Sequence, residues 1–129
     1  MLKIGIKGSQ SVTVDNTNSA RTMGSGTLEV FATPAMAALM EKTAWTSIAP
    51  YLEEGQGTVG TRLDITHDAP TPLGLTVTCE SELIEIDGRR LVFQITASDG
   101  VSVIGNGRHE RFIIMDEKFM KKAEERLSL

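Results

Sequence analysis

The run Thr33-Pro-Ala-Met-Ala-Ala-Leu-Met-Glu41-Lys-Thr-Ala-Trp-Thr-Ser-Ile48 decides how this chain folds. Thr33 reads as an N-cap, because its hydroxyl can accept from a backbone N–H that a helix start leaves open. Pro34 follows and lacks the N–H that would go unpaired at that position. The predicted helix runs from Pro34 to Ile48 or Ala49, where Pro50 stops it. Ala35, Met36, Ala37, Ala38, Leu39, Met40, Ala44, Trp45 and Ile48 make it apolar almost all round. A surface helix carries one apolar stripe, so this one is expected to be wrapped on most sides. Glu41 and Lys42 are its only charges.

Outward from the helix the pattern changes from a period near four to a period of two. Residues 2–22 alternate loosely, with Val12 and Val14 marking a strand, and Arg21–Thr27 reads as a Gly- and Ser-containing loop. Downstream, 57–66 alternates through Val59, Leu63 and Ile65, and 74–86 through Leu75, Val77 and Cys79 before Leu83, Ile84 and Ile86. Residues 90–98 alternate Leu91, Phe93, Ile95 and Ala97, and 101–115 form a long strand interrupted by Gly105 and Gly107. Asp87-Gly88 and Asp99-Gly100 are hairpin signals, since glycine and aspartate suit tight turns. The two interior glycines predict a bulge or the close approach of another backbone. Residues 116–127 read as a short charged helix. The expectation is α+β: one domain over residues 1–129, with a curled antiparallel sheet of about five strands wrapped around one long buried helix and the last four strands in a meander.

Composition removes several function classes. With 129 residues there is enough chain for one core, and 23% charged residues against 40% hydrophobic ones fit a water-facing globular surface. A net charge of −4 with scattered Lys and Arg builds no basic stripe, so nucleic acid is not an expected partner. One cysteine, Cys79, allows no intrachain disulfide and fits a reducing compartment. No apolar leader and no run of about 20 apolar residues is present, so the expected location is the cytoplasm, away from membrane. Two histidines and one cysteine far apart in sequence give no zinc spacing, and no metal or cofactor is expected. No Gly-rich phosphate loop and no nucleophile elbow occur.

Five residues bear on chemistry, and three of them carry a functional reading beside a plainer one. Glu41 is either a surface carboxylate paired with a neighbour or a partly desolvated nucleophile or general base. Thr33 is either a simple cap or part of an oxyanion site, where free N–H groups and the helix dipole stabilise a carbonyl turning tetrahedral. His67 is either structural at a strand end or a proton carrier near neutrality. His109, in Arg108-His-Glu-Arg111, reads as part of a solvated strand face. Cys79 reads as a core strand residue without a basic neighbour.

Four motifs then carry a resemblance: Leu28-Glu-Val-Phe-Ala-Thr-Pro-Ala-Met-Ala-Ala-Leu-Met-Glu41, Gly57-Thr-Val-Gly-Thr61, Ile65-Thr-His-Asp-Ala-Pro-Thr-Pro-Leu-Gly74 and Gly107-Arg-His-Glu-Arg-Phe112. Over nearly the whole chain they resemble the fluoroacetyl-CoA thioesterase-like family of hot-dog proteins. The resemblance implies a hot-dog fold and hydrolysis of a small acyl-CoA, while the edge strands of such a sheet predict a two-fold homodimer, with stacking into a tetramer left open. It implies a catalytic set of Thr33, Glu41 and His67, with Gly60 and Arg111 contacting the substrate. Members specialised for fluoroacetyl groups carry bulky aromatics just before the helix, where this chain has Gly24-Ser-Gly-Thr27. That departure implies a substrate other than fluoroacetyl-CoA.

Helix geometry adds a constraint. Thr33 and Glu41 are eight residues apart, about 12 Å along an α-helix. They share no direct bond within one chain, so either they address different parts of the substrate or each site combines residues of two subunits across a two-fold axis. The rival function on the same fold is an acyl-CoA binding or sensing module without turnover. A second enzymatic rival, enoyl-CoA hydration, calls for a different acid–base pair.

Overall fold

The computed structural model describes residues 1–129. Strand β1 (Lys7–Thr13) is followed by a one-turn helix α1 (Ala20–Met23) and the long helix α2 (Thr33–Ile48). Strands β2 (Gln56–His67), β3 (Thr76–Asp87), β4 (Arg90–Ser98) and β5 (Val103–Met115) come next, and α3 (Asp116–Glu125) closes the chain. All five strands are antiparallel in one sheet of order β1-β3-β4-β5-β2. The sheet curls around α2, whose Met36, Leu39, Met40, Ala44 and Ile48 pack with Val77, Cys79, Leu83, Leu91, Phe93, Ile95 and Ala97 in a single apolar cluster. Each fully buried large side chain there contributes roughly 1.5–3 kcal/mol over leaving it in water. No helix is long and apolar enough to cross a membrane.

The α+β hot-dog architecture is the one expected, but its strand order corrects the expected four-strand meander. Only β3, β4 and β5 are joined as neighbours; β2 lies on the far side of β5, with Gly60 opposite Arg111 and His67 opposite Gly105. The segment between β2 and β3 contains Pro70 and Pro72, which hold it extended, and Val30 bridges to Pro72 on the way. The chain therefore crosses instead of turning back on itself. Residues 20–23, expected in a loop, form the turn α1. Ser19 caps it by accepting from Thr22 N–H, and Gly24 ends it at φ 75°.

Glycine explains one more close packing. A Cβ at Gly107 would collide with the Asp64 carbonyl and stand 2.6 Å from the Ile65 Cα. The close backbone approach expected at the two β5 glycines is thus the β5–β2 contact.

The helix is less enclosed than its composition suggests. Met36, Leu39, Met40, Thr43, Ala44 and Ile48 face the sheet, but Ala38, Lys42, Trp45 and Ala49 form an exposed stripe, with Trp45 44% accessible. One chain supplies one sheet, and one sheet covers one side.

Candidate active site

The start of α2 departs from the expected cap. Ala32 is the capping residue, with no side-chain hydrogen bond, and Thr33 is the first helical residue. Its hydroxyl instead lies 2.8 Å from His67 Nδ1 at the end of β2. Pro34 has no N–H, and Met36 N–H already donates to Ala32 O, so the unpaired donors of the first turn are the Thr33 and Ala35 N–H groups. Two aligned N–H groups at a helix N-terminus favour negative charge. A cavity of about 310 Å³ opens here, lined by Thr33, His67, Phe31, Ser25, Ala20 and Ala69 among others.

His67 is half-buried and Phe31 meets its ring edge-on, with centroids 6.4 Å apart. Burial lowers its pKa below the usual 6.5, and the Asp68 carboxylate pulls weakly the other way. Its Nε2 is buried without a hydrogen-bond partner. The imidazole is thus mainly neutral at pH 7, one nitrogen engaged by Thr33 and the other available for proton exchange.

Glu41 belongs to a second cluster two turns along α2. Its Oε2 is 3.4 Å from Arg111 Nη1 on β5. Arg111 is 6% exposed, and donates Nε–H to Thr58 Oγ1 at 2.8 Å and an Nη2 hydrogen to Thr58 O at 2.9 Å. Gly60 lies against this pair: a Cβ there would stand 2.6 Å from Glu41 Oε2 and 3.2 Å from Arg111 Nη1. A cavity of about 360 Å³ borders the cluster, lined by Trp45, Leu52, Gln56, Thr58, Arg111 and others.

A β-bulge brings both clusters to one side of β2. The register shifts between Gly60 and Arg62, leaving Thr61 extra. Side chains alternate with period two, so Gly60 and His67, seven residues apart, would face opposite ways on a regular strand. The extra residue restores them to the same concave face. Their partners on β5, Arg111 and Gly105, are six residues apart, so Gly60 and His67 remain about 20 Å apart along the strand at ordinary rise. Within one chain the structure therefore joins Thr33 with His67, and Glu41 with Gly60 and Arg111, as two separate groups.

His109 is a correction. It is 1% exposed on the concave face, not part of a solvated one. Gly105, Gly107, His109 and Arg111 point inward, and Asn106, Arg108 and Glu110 outward. Residues 105–111 are all glycine or polar, so no apolar alternation in the sequence marks which of them point inward. Arg111 and His109 stay inside because each is hydrogen-bonded there. Thr58, which holds Arg111 through both its hydroxyl and its carbonyl, lies within the Gly57–Thr61 motif, but nothing in that motif pointed to it as the partner of Arg111. Cys79 is buried in β3 as expected, and burial pushes its thiol up to about 11. No three His, Cys, Asp or Glu side chains are grouped so as to hold a metal ion.

A five-stranded antiparallel sheet curled around a central helix is the hot-dog fold, and the solved structures agree. The chain superimposes on a hot-dog-like protein from Thermanaerovibrio acidaminovorans with a TM-score of 0.87 at 24% identity, covering 95% of this chain and 91% of that one. It superimposes on the fluoroacetyl-CoA thioesterase FlK with a TM-score of 0.92 at 40% identity, covering 97% of each chain. It is 50% identical over 98 residues to the fluoroacetyl-CoA thioesterase of Streptantibioticus cattleyicolor, spanning 76% of this chain and 70% of that protein. The family model for fluoroacetyl-CoA-specific thioesterases matches residues 12–117. This chain belongs to that family.

Proposed function

We propose that the protein hydrolyses the thioester bond of a small acyl-CoA, releasing CoA and a carboxylic acid. The observation that carries this reading is the Thr33–His67 hydrogen bond beside the unpaired N–H groups of α2. In this reading the thioester carbonyl rests against the Thr33 and Ala35 N–H groups, which stabilise the oxyanion as the carbon becomes tetrahedral. Glu41 delivers oxygen to that carbon, either its own or that of a water it deprotonates. The C–S bond then breaks, neutral His67 relays the proton taken from water to the leaving thiolate, and Thr33 orients the ring. On the direct route water then cleaves the Glu41–acyl anhydride, releasing the acid and restoring the carboxylate. Gly60 gives substrate the closest approach beside Arg111. Water is the only co-reactant the balance requires, so no cofactor or metal enters the scheme.

The two clusters of one chain are too far apart to act on one carbonyl, which supports a homodimer with composite sites. The exposed stripe of α2 and the unpaired edge of β2 supply the surfaces for it. Tetramers would follow from pairing such dimers. The lone buried Cys79 suits the cytoplasm. The relatives' names point to fluoroacetyl-CoA. Residues 21–29 are small or polar apart from Met23 and Leu28, and all are exposed, which supports a pocket open to other short acyl groups.

Free-thiol release from a panel of acyl-CoAs, acetyl through phenylacetyl with fluoroacetyl included, tests this. Turnover of at least one member, falling about 10²–10⁴-fold in Glu41→Gln and in His67→Ala, is the expected result. Acyl-CoA bound without thiol release would replace it with a sensing module, and full activity in both variants would remove these residues from the mechanism. Single turnover in ¹⁸O-water identifies the direct route when label appears on Glu41, the result of water opening a Glu41–acyl anhydride at the glutamyl carbonyl.

A further inference from the structure

The Glu41–Arg111 contact is long for a charge-assisted hydrogen bond. Such pairs settle near 2.7–2.9 Å, whereas Arg111 Nη1 stands 3.4 Å from Glu41 Oε2 and 3.1 Å from His109 Nε2. The guanidinium is thus held more closely by neutral acceptors than by the carboxylate. Thr58 fixes its Nε and Nη2, and His109 engages its Nη1.

The hydrogen bonds of His109 dictate its tautomer. Nδ1 lies 2.8 Å from Arg62 O, and a carbonyl only accepts, so Nδ1 carries the hydrogen. A guanidinium only donates, so Nε2 presents its lone pair to Arg111. Arg62 O is the carbonyl at the bulge, which ties the ring to the same irregularity that turns Gly60 and His67 inward. The groups facing the ring are Arg62 O from β2, Glu41 from α2, Phe93 from β4 and Arg111 from β5 itself, while Glu110 acts by its charge from the opposite face of β5. Burial dominates and keeps the ring neutral, helped by the Arg111 charge and opposed by the Arg62 carbonyl and the two carboxylates.

We propose that His109 is a positioning residue of this site, whose Nε2 lone pair holds Arg111 back from a close ion pair with Glu41. The inference rests on the role given to Glu41 above. A tight pair would occupy the carboxylate oxygen and reduce its capacity to attack or to take a proton from water. With the guanidinium held at its present distance, Glu41 keeps a nearby positive charge and an available lone pair.

Two substitutions divide the ring's bonds. In His109→Asn the amide can still donate to Arg62 O but cannot reach Arg111. In His109→Gln the longer side chain places its carbonyl oxygen toward Arg111 and gives up the bond to the bulge. The expected result is that His109→Asn lowers kcat about 10–100-fold with KM changed less than about 3-fold, and that His109→Gln recovers most of the loss. Equal losses in both variants, or a loss confined to KM, would overturn the inference. If His109→Asn fails to fold, ¹⁵N imidazole spectra of the unmodified protein decide the matter. A neutral ring with hydrogen on Nδ1 supports the role, and hydrogen on Nε2 rules it out. A wild-type protein that cleaves no acyl-CoA would remove the thioesterase reading and this inference together. An active wild type matched by His109→Asn would remove this inference alone.

Discussion

Thr33 shows how one hydroxyl can be claimed by two structures. At a helix start it would normally accept from a backbone N–H, yet here it is bound to His67 and the first-turn donors stay free. Thr33→Ser should therefore keep most activity while Thr33→Ala loses it, and thiol release will show whether the hydroxyl is what matters. His67 itself sets a pH signature. Its pKa is lowered by burial while Asp68 raises it, so the acid limb of kcat/KM is expected below pH 6.5. Asp68→Asn removes the charge that favours imidazolium, so a pH–rate profile of that variant should show the limb moved to still lower pH.

Among the elements, β2 has the most unusual construction. Its bulge at Thr61 selects which residues look inward, and glycine at position 60 leaves room for Glu41 and Arg111. The group that a Gly60 Cβ would strike is the flexible end of Glu41, so Gly60→Ala should fold normally. The displaced carboxylate should nevertheless cost roughly 10²-fold in kcat/KM, a split that a thermal melt alongside the kinetic assay will reveal. Gly107→Ala is the contrasting case, because there the obstacle is the backbone of β2. Overpacking of that kind costs about 1–3 kcal/mol, which urea unfolding should register. A similar bulge at Ile84 in β3 keeps both Leu83 and Ile86 on the inner face. It accounts for the broken alternation of that segment in the sequence.

For the whole molecule the question is how two separated clusters serve one reaction. If each site combines Thr33 and His67 of one subunit with Glu41 of another, a dimer of one Thr33→Ala and one Glu41→Gln chain contains one intact site. Mixing the two inactive proteins equally should then restore roughly a quarter of wild-type activity, half the dimers being mixed and half their sites whole. No recovery would place the complete set in one chain. Acid stability is also a property of the whole fold. Both histidines have folded pKa values below 6.5, so the unfolded chain binds more protons as pH falls through 6.5. Stability must decline from there toward the folded values. Asp99 and Glu110, whose pKa values are lowered by hydrogen bonds, extend the decline below about pH 4.5. Melting temperature against pH should be level only between about 7.5 and 8 and fall in these two stages below that range. It should fall again as pH rises past about 9, where Cys79 ionises in the unfolded chain before the folded one.

The sequence by itself determined the elements that depend on neighbours in the chain. The apolar run of α2 between Pro34 and Pro50, the alternation of β4 and the turn glycines at 88 and 100 are local patterns, and local sterics and periodicity are sufficient to read them. Motifs spread over several elements, through their resemblance to a known family, also marked Thr33, Glu41, Gly60, His67 and Arg111 for attention. Tertiary structure alone decided that β2 pairs with β5 across the sheet, because no residue of β2 states which edge it will join. It alone decided that His109 is buried and Thr58 grips Arg111, since a polar side chain is admitted to a core by partners that arrive from distant segments. Helix rise alone separated Thr33 from Glu41, but only the way β2 and β5 lie along that helix decided that His67 joins the first and Gly60 and Arg111 the second.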